Sequence, residues 1–147
     1  MFTFLDEFEY LKNDKVTLKL IEKNYGDTEI LPFYYYDIFD SNNNLIGKIS
    51  IRIGYNFNSY YNGNIGYEIS SEYQGFNYSL YASKLVLKVA RAHKMDTIYI
   101  TCKESNIASR KIIEKLGAIE KEIVNIPKEC FFPKDDLEKY VIYFLEL

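Results

Sequence analysis

Chemistry in this chain is concentrated in Gly66-Tyr-Glu-Ile-Ser-Ser-Glu-Tyr-Gln-Gly-Phe-Asn-Tyr-Ser79, which reads as a short strand turning tightly into a helix. Ile65, Tyr67 and Ile69 alternate with Gly66, Glu68 and Ser70, the period of two that a strand shows. Leu85, Val86 and Val89 then share one stripe of a helix, with Lys84, Lys88 and Arg91 on the opposite one. The first N–H groups of a helix lack intrahelical partners and carry the positive end of its dipole, so this turn is an anion site suited to a phosphate. A second segment, Asn106-Ile-Ala-Ser-Arg-Lys-Ile-Ile-Glu-Lys-Leu-Gly-Ala118, reads as another helix. Ser105 or Asn106 caps it, Ser109, Ile112, Ile113 and Leu116 recur at helical spacing, and Gly117 ends it.

Flanking elements must hold these two segments. Residues 1–12 read as a short amphipathic helix with Phe4, Leu5 and Phe8 inward, or as an arm laid on a partner. Val16, Leu18 and Leu20 alternate with Thr17, Lys19 and Ile21 as a first strand, and Asn24 to Asp27 reads as a turn. Pro32 opens a second strand through Phe39, and the polar loop Asp40 to Asn44 leads to a third, Leu45 to Tyr55, with Ile49, Ile51 and Ile53 on one face. Asn56 to Gly63 reads as a loop. After the helix Ser79 to Lys94, Thr97 to Cys102 is a buried strand, Ala118 to Val124 another, Pro127 to Asp136 a loop and Tyr140 to Leu147 the last strand. This order predicts an α/β domain with a mixed, mostly antiparallel central sheet flanked by helices. Such sheets bind ligands where neighbouring strands part at their carboxyl ends, which is where residues 70–79 lie.

The 147 residues make one domain, 1–147, with one core. A content of 48% hydrophobic and 27% charged residues excludes a disordered chain, and the abundance of Tyr and Phe favours strands over a helical bundle. The formal charge of -3 lacks the basic footprint of a nucleic-acid binder and mildly favours cationic substrates. Cys102 and Cys130 are too few for a disulfide framework and make no metal spacing with His93, so they read as free thiols and no metal is expected. The acidic N-terminus does not resemble a signal peptide, and no stretch approaches the ~18 apolar residues of a membrane span. The expectation is a cytoplasmic enzyme, monomeric or homodimeric, without nucleic-acid or membrane partners.

The ordered segments 66–79 and 106–118, joined by an apolar helix and a strand, resemble the GCN5-related N-acetyltransferase (GNAT) superfamily, and within it the ribosomal-protein-acetylating branch, from about Leu45 to Val124. The resemblance implies acetyl-coenzyme A as co-substrate, its pyrophosphate held on the successive amides of a turn of pattern Gln/Arg-x-x-Gly-x-Gly/Ala. Gln74 fits the first position, whereas Asn77 stands at the first glycine and Ser79 at the small residue. Asn tolerates left-handed backbone better than other non-glycine residues, so the turn can survive, but its side chain and Phe76 are expected to narrow the pocket. The implied cofactor-binding residues are Ile69, Ser70, Gln74, Gly75, Phe76, Asn77, Tyr78 and Ser79 in the turn, with Asn106 against the pantetheine arm and Ser109 facing it. By residue type alone, Asn106 is equally a helix cap and Ser109 a small residue at a packed crossing.

In that family an amine attacks the thioester directly, which calls for a base, an N–H for the developing oxyanion and an acid for the thiolate. Many relatives carry the acid as a Tyr seven residues after the motif Asn, where this chain has Ile113; some carry a Glu five residues before it, where this chain has Thr101. Glu68 is the remaining carboxylate near the thioester and the candidate catalytic base, which burial on the central strand would favour; by residue type alone it is equally a solvated strand residue. The implied reaction is acetyl transfer from acetyl-CoA to a primary amine of a small molecule or peptide. The alternative is a catalytically silent acyl-CoA-binding or interaction module, motivated by Asn77, Ser79 and Ile113. His93 reads as a helix C-terminal residue bonding the last carbonyls, Cys102 as packing, and Tyr34, Tyr35, Tyr36, Tyr60 and Tyr61 as lining an acceptor pocket or packing the sheet.

Overall fold

The computed structural model describes residues 2–130 and 138–147. Strands β1 (Tyr10–Lys12), β2 (Val16–Asn24), β3 (Phe33–Asp40), β4 (Leu45–Arg52) and β5 (Ile65–Ile69) form one antiparallel sheet in sequence order. Strands β6 (Thr97–Lys103), β7 (Ile119–Val124) and β8 (Tyr140–Glu146) form a second, in the order β6-β8-β7. Helix α1 (Phe57–Asn62) precedes β5, α2 (Tyr78–Ala92) connects β5 to β6, and α3 (Ile107–Lys115) connects β6 to β7. The α/β class and the mostly antiparallel strands with flanking helices are those the sequence predicts. Among the described residues no helix is long and apolar enough to cross a membrane.

Alternation within β3 and β4 decides which face is covered. The register sets Tyr36 against Ile49 and Tyr34 against Ile51, and these four side chains, with Ile38, are fully buried. Leu85, Val86, Val89 and Ala90 of α2 close over them, while Lys84, Lys88 and Arg91 stay exposed, as the helical stripes require. Each large apolar side chain so buried stabilises the fold by roughly 1.5–3 kcal/mol. Phe33, Tyr35, Asp37 and Phe39 face the other way and are half-buried.

Four local expectations are corrected. The N-terminal segment makes a single 3-10 turn at Asp6–Phe8 and then pairs as β1 with β2; so short a helix is marginal alone, whereas pairing satisfies its backbone and buries Phe8 and Leu11. The stretch 56–63 is mostly α1, started by a capping box in which Ser59 N–H donates to Asn56 Oδ1 (2.7 Å) and Asn56 N–H to Ser59 Oγ (2.9 Å). The third strand stops at Arg52: Ile53 N–H still donates to Pro32 O (2.8 Å) in register, but Pro32 has no N–H to return the bond and Gly54 takes φ +111°. Strand β6 alternates buried Ile98, Ile100 and Cys102 with half-buried Thr97, Tyr99 and Thr101, so only one of its faces is in the core. Of the loop expected at Pro127 to Asp136, residues 131–137 lie outside the described residues.

The two sheets meet at one clamp. Asn64, fully buried, donates its N–H to Tyr99 O (2.6 Å) and accepts from Tyr99 N–H on Oδ1 (3.0 Å). Its Nδ2 donates to Arg52 O (3.0 Å) and Gly54 O (2.9 Å), which ties β4 into the same knot. Gly63 sits beside it at φ +82°, where a Cβ would lie 3.0 Å from Tyr99 O. Beyond this clamp β5 and β6 part: β5 pairs with β4 and β6 with β8.

Candidate functional site

The parting of β5 and β6 opens a groove of about 450 Å³ whose walls are the turn after β5 and the face of α3. The turn is built locally. Ser70 N–H donates to Ile46 O (2.9 Å), residues 71–73 form a 3-10 turn, and Gln74 Nε2 reaches back to Ile69 O (2.9 Å). Gly75 (φ +89°) and Asn77 (φ +63°) are both left-handed, so Asn77 adopts the backbone that its type tolerates. The hydrogen bonds of α2 begin with Tyr81 N–H to Asn77 O (3.1 Å), which leaves the amides ahead of it available to an anion.

Of the residues the sequence singled out, Ile69, Gln74, Gly75, Asn77, Tyr78, Ser79, Asn106 and Ser109 line this groove. Phe76 does not: it is 61% exposed and leaves the pocket unobstructed on that side. Ser70 is likewise absent from the lining. Asn77 Oδ1 accepts from Lys115 Nζ (3.3 Å), which draws the side chain toward α3. Lys111 and Lys115, one helical turn apart, add positive charge to the wall; their i, i+4 spacing was a readable signal that sequence reasoning passed over. Asn106 caps α3, its Oδ1 accepting from Ser109 N–H (3.1 Å), and so fixes where Ser109 points.

A second cavity of about 410 Å³ opens on the other face of the five-stranded sheet. Phe33 and Tyr35 of β3, Lys48 and Arg52 of β4, and Glu22 of β2 surround it. Lys48 Nζ is paired with Asp37 Oδ1 (2.6 Å), a hydrogen bond that pushes the ammonium pKa up, and Arg52 Nη1 donates to Gly63 O (2.9 Å). Gly66 keeps this side open, since a Cβ there would lie 3.4 Å from Arg52 Nη2 and Ser50 Oγ. Tyr67 and Glu68 line both cavities, one from each face of β5. Glu68 is exposed, so the sheet does not bury it, and no hydrogen bond or ion pair engages it among the described residues. Tyr67 faces inward and its Oη lies 2.9 Å from Ser109 Oγ across the groove. Burial raises the phenol pKa, the bond to Ser109 opposing it.

Other candidates lie elsewhere. His93 caps the C-terminus of α2 as expected, but through its backbone N–H, which donates to Val89 O and Ala90 O (both 3.1 Å); its ring Nε2 is 2.7 Å from Tyr34 Oη, which accepts from Leu5 N–H, and Phe2 stacks on it. Burial lowers the imidazole pKa and keeps this buttress of the N-terminal segment neutral. Cys102 is buried, and burial pushes its thiol pKa up, as packing requires. Thr101 Oγ1 is buried and has no hydrogen-bond partner among the described residues. Tyr34 and Tyr36 are core, and only Tyr35 of that run lines a cavity. Ile113, on the inner side of α3, is almost fully buried.

A family model described as an acetyltransferase (GNAT) domain matches residues 6–119. No curated protein matches the sequence. Among solved structures, dodecameric spermidine N-acetyltransferase from Vibrio cholerae superposes with a TM-score of 0.65 at 15% identity, covering 91% of this chain and 95% of its own. Ribosomal-protein-S5-alanine acetyltransferase from Vibrio fischeri gives 0.60 at 21% identity, over 78% of this chain and 61% of its own. The microcin C7 self-immunity acetyltransferase MccE, solved with acetyl-CoA and AMP, gives 0.59 at 17% identity over the same shares, 78% and 61%. The chain thus spans less than two thirds of the length of several of these proteins, 65% in the case of a GNAT acetyltransferase from Bacillus anthracis. At such identities the likeness is one of fold.

Proposed function

The chain belongs to the GNAT acetyltransferase family, and on that premise we propose that it transfers the acetyl group of acetyl-CoA to a primary amine of a small molecule or peptide by direct attack. One observation carries the reading: two cavities on opposite faces of β5 share the wall formed by Tyr67 and Glu68. A long phosphorylated ligand fits the groove, whose turn offers unpaired amides, a left-handed Asn77 and two lysines. An amine enters the opposite cavity, where Phe33 and Tyr35 give an aromatic wall and Glu22 and Glu68 stand with Lys48, which is paired to Asp37, and Arg52, which donates to Gly63 O. When bound, acetyl-CoA supplies the activated acyl carbon.

The chain's own residues do the rest. The amides at the start of α2, with Lys111 and Lys115, hold the pyrophosphate; the capped start of α3 runs beside the pantetheine; and Glu68, exposed beside its cross-strand neighbour Lys48, takes a proton from the amine directly or through water. The silent-module reading is favoured by one specific fact, that the inner position of α3 is occupied by the buried and proton-less Ile113. Calorimetric titration with acetyl-CoA and CoA tests the shared premise, and absence of binding by both removes it. A panel of small amines and peptide N-termini, read by release of CoA thiol, then divides enzyme from module. Sustained thiol release above acetyl-CoA hydrolysis is the expected result.

A further inference from the structure

Loss of the thiolate from a thioester is eased by a proton donor positioned at sulfur. The groups available in the cleft are few. Serine and threonine hydroxyls are far too weak as acids, and the Cys102 thiol is buried. Tyr73 and Tyr78 stand at the turn end of the groove, among the residues suited to phosphates. Among the described residues, one phenol stands in the wall shared by both cavities, where an incoming amine and an acyl carbon from the other side would meet.

We propose that Tyr67 is the general acid of the acetyl transfer and that Ser109 is its positioning residue. The proposal rests on the acetyl-transfer reading above. The geometry carries it: β5 register sets Tyr67 opposite Ile49, on the inner face, and its Oη lies 2.9 Å from Ser109 Oγ, the only side-chain hydrogen bond found between β5 and α3 among the described residues. With Ser109 donating, the phenol proton is turned into the groove. The amine nitrogen forms its bond to the acyl carbon, the C–S bond breaks, and its electron pair goes to sulfur. Sulfur takes the proton of Tyr67 Oη, while the amine nitrogen loses its proton to Glu68 or water. Ser109 O–H stabilises the phenolate until solvent returns a proton to it, so one proton leaves nitrogen for each one gained by sulfur. Burial favours the protonated phenol as the resting form. The titratable group facing Tyr67 is the Cys102 thiol of β6, which burial keeps protonated against an opposing hydrogen bond with the same Ser109; Glu68 and Lys48 lie on the opposite face of the sheet.

The test uses Tyr67→Phe, which keeps the packed ring, and two probes: CoA, and CoA with its thiol replaced by hydrogen. Near pH 9, above the ordinary thiol pKa of about 8.5, wild type is expected to bind CoA several-fold tighter than the des-thiol probe, because the phenol donates to the thiolate. Tyr67→Phe should bind the des-thiol probe like wild type and lose the preference for CoA. With an amine active in the panel, its kcat should fall roughly 10²-fold at unchanged KM for acetyl-CoA. Ser109→Ala offers a second route that leaves the phenol in place. Ser109 lowers the phenol pKa, so its removal should raise it and move the alkaline fall of kcat to higher pH, a shift that a packing role would not produce. Retention of the thiol preference or of kcat in Tyr67→Phe, or an unmoved alkaline limb in Ser109→Ala, overturns the assignment. Failure of wild type to bind either probe overturns the acetyl-transfer reading and this assignment with it.

Discussion

The two cavities beside β5 are of similar size and share a wall, yet they are made in different ways. The groove draws on two short runs, 67–79 and 106–115, and its means of recognition are backbone amides, two helix starts and a pair of lysines one turn apart. The opposite cavity takes single side chains from four strands, from Glu22 to Glu68, and recognises by side-chain charge and aromatic surface. A site made from local backbone tolerates change in side chains: Asn77 replaces a family glycine, keeps φ +63°, and hands its side chain to Lys115. A site made from strand register has no such tolerance, because a shift by one residue would turn Glu68, Lys48 and Tyr35 to the other face.

Both cavities depend on the clamp at Asn64, so breaking it should affect them together and most strongly. Asn64→Ala removes the donor to the part-buried Arg52 and Gly54 carbonyls and the acceptor of the Tyr99 N–H, and unfolding by urea should show a loss of about 3 kcal/mol. CoA and acceptor affinity should fall in parallel; a loss confined to one of them would mean that the cavities are set independently.

Smaller effects should separate the two sides. Glu68→Gln is expected to lower kcat roughly 10²-fold, while calorimetry finds CoA affinity within about twofold. Turnover within a few-fold of wild type would remove Glu68 as base and leave water, or an amine that arrives neutral. Asn77→Gly should touch only the groove. Glycine relieves the left-handed backbone, so CoA affinity should be unchanged to about threefold tighter, with acceptor KM unaltered. A clear weakening would show that the Asn77 amide, or the lysine it holds, contacts the phosphates.

The groove was largely legible in the sequence because its parts are neighbours in the chain. Periods of two and of 3.6 located β5, α2 and α3, and the cap at Asn106 and the stop at Gly117 followed from residue type. The Asn56-x-x-Ser59 cap of α1 was also legible and went unread, hidden in a stretch that looked like a polar loop. The same alternation that put Tyr67 and Glu68 on opposite faces gave no sign of what each would face. Tertiary structure alone decided that: the split held open at Asn64, the meeting of Tyr67 with Ser109 across 42 residues, the His93 to Tyr34 contact across 59, and the exposure that leaves Glu68 in solvent. Local patterns are fixed by backbone geometry and are written within a few residues. Partners far apart in sequence are chosen by which faces pack to exclude water, a choice that belongs to the whole chain.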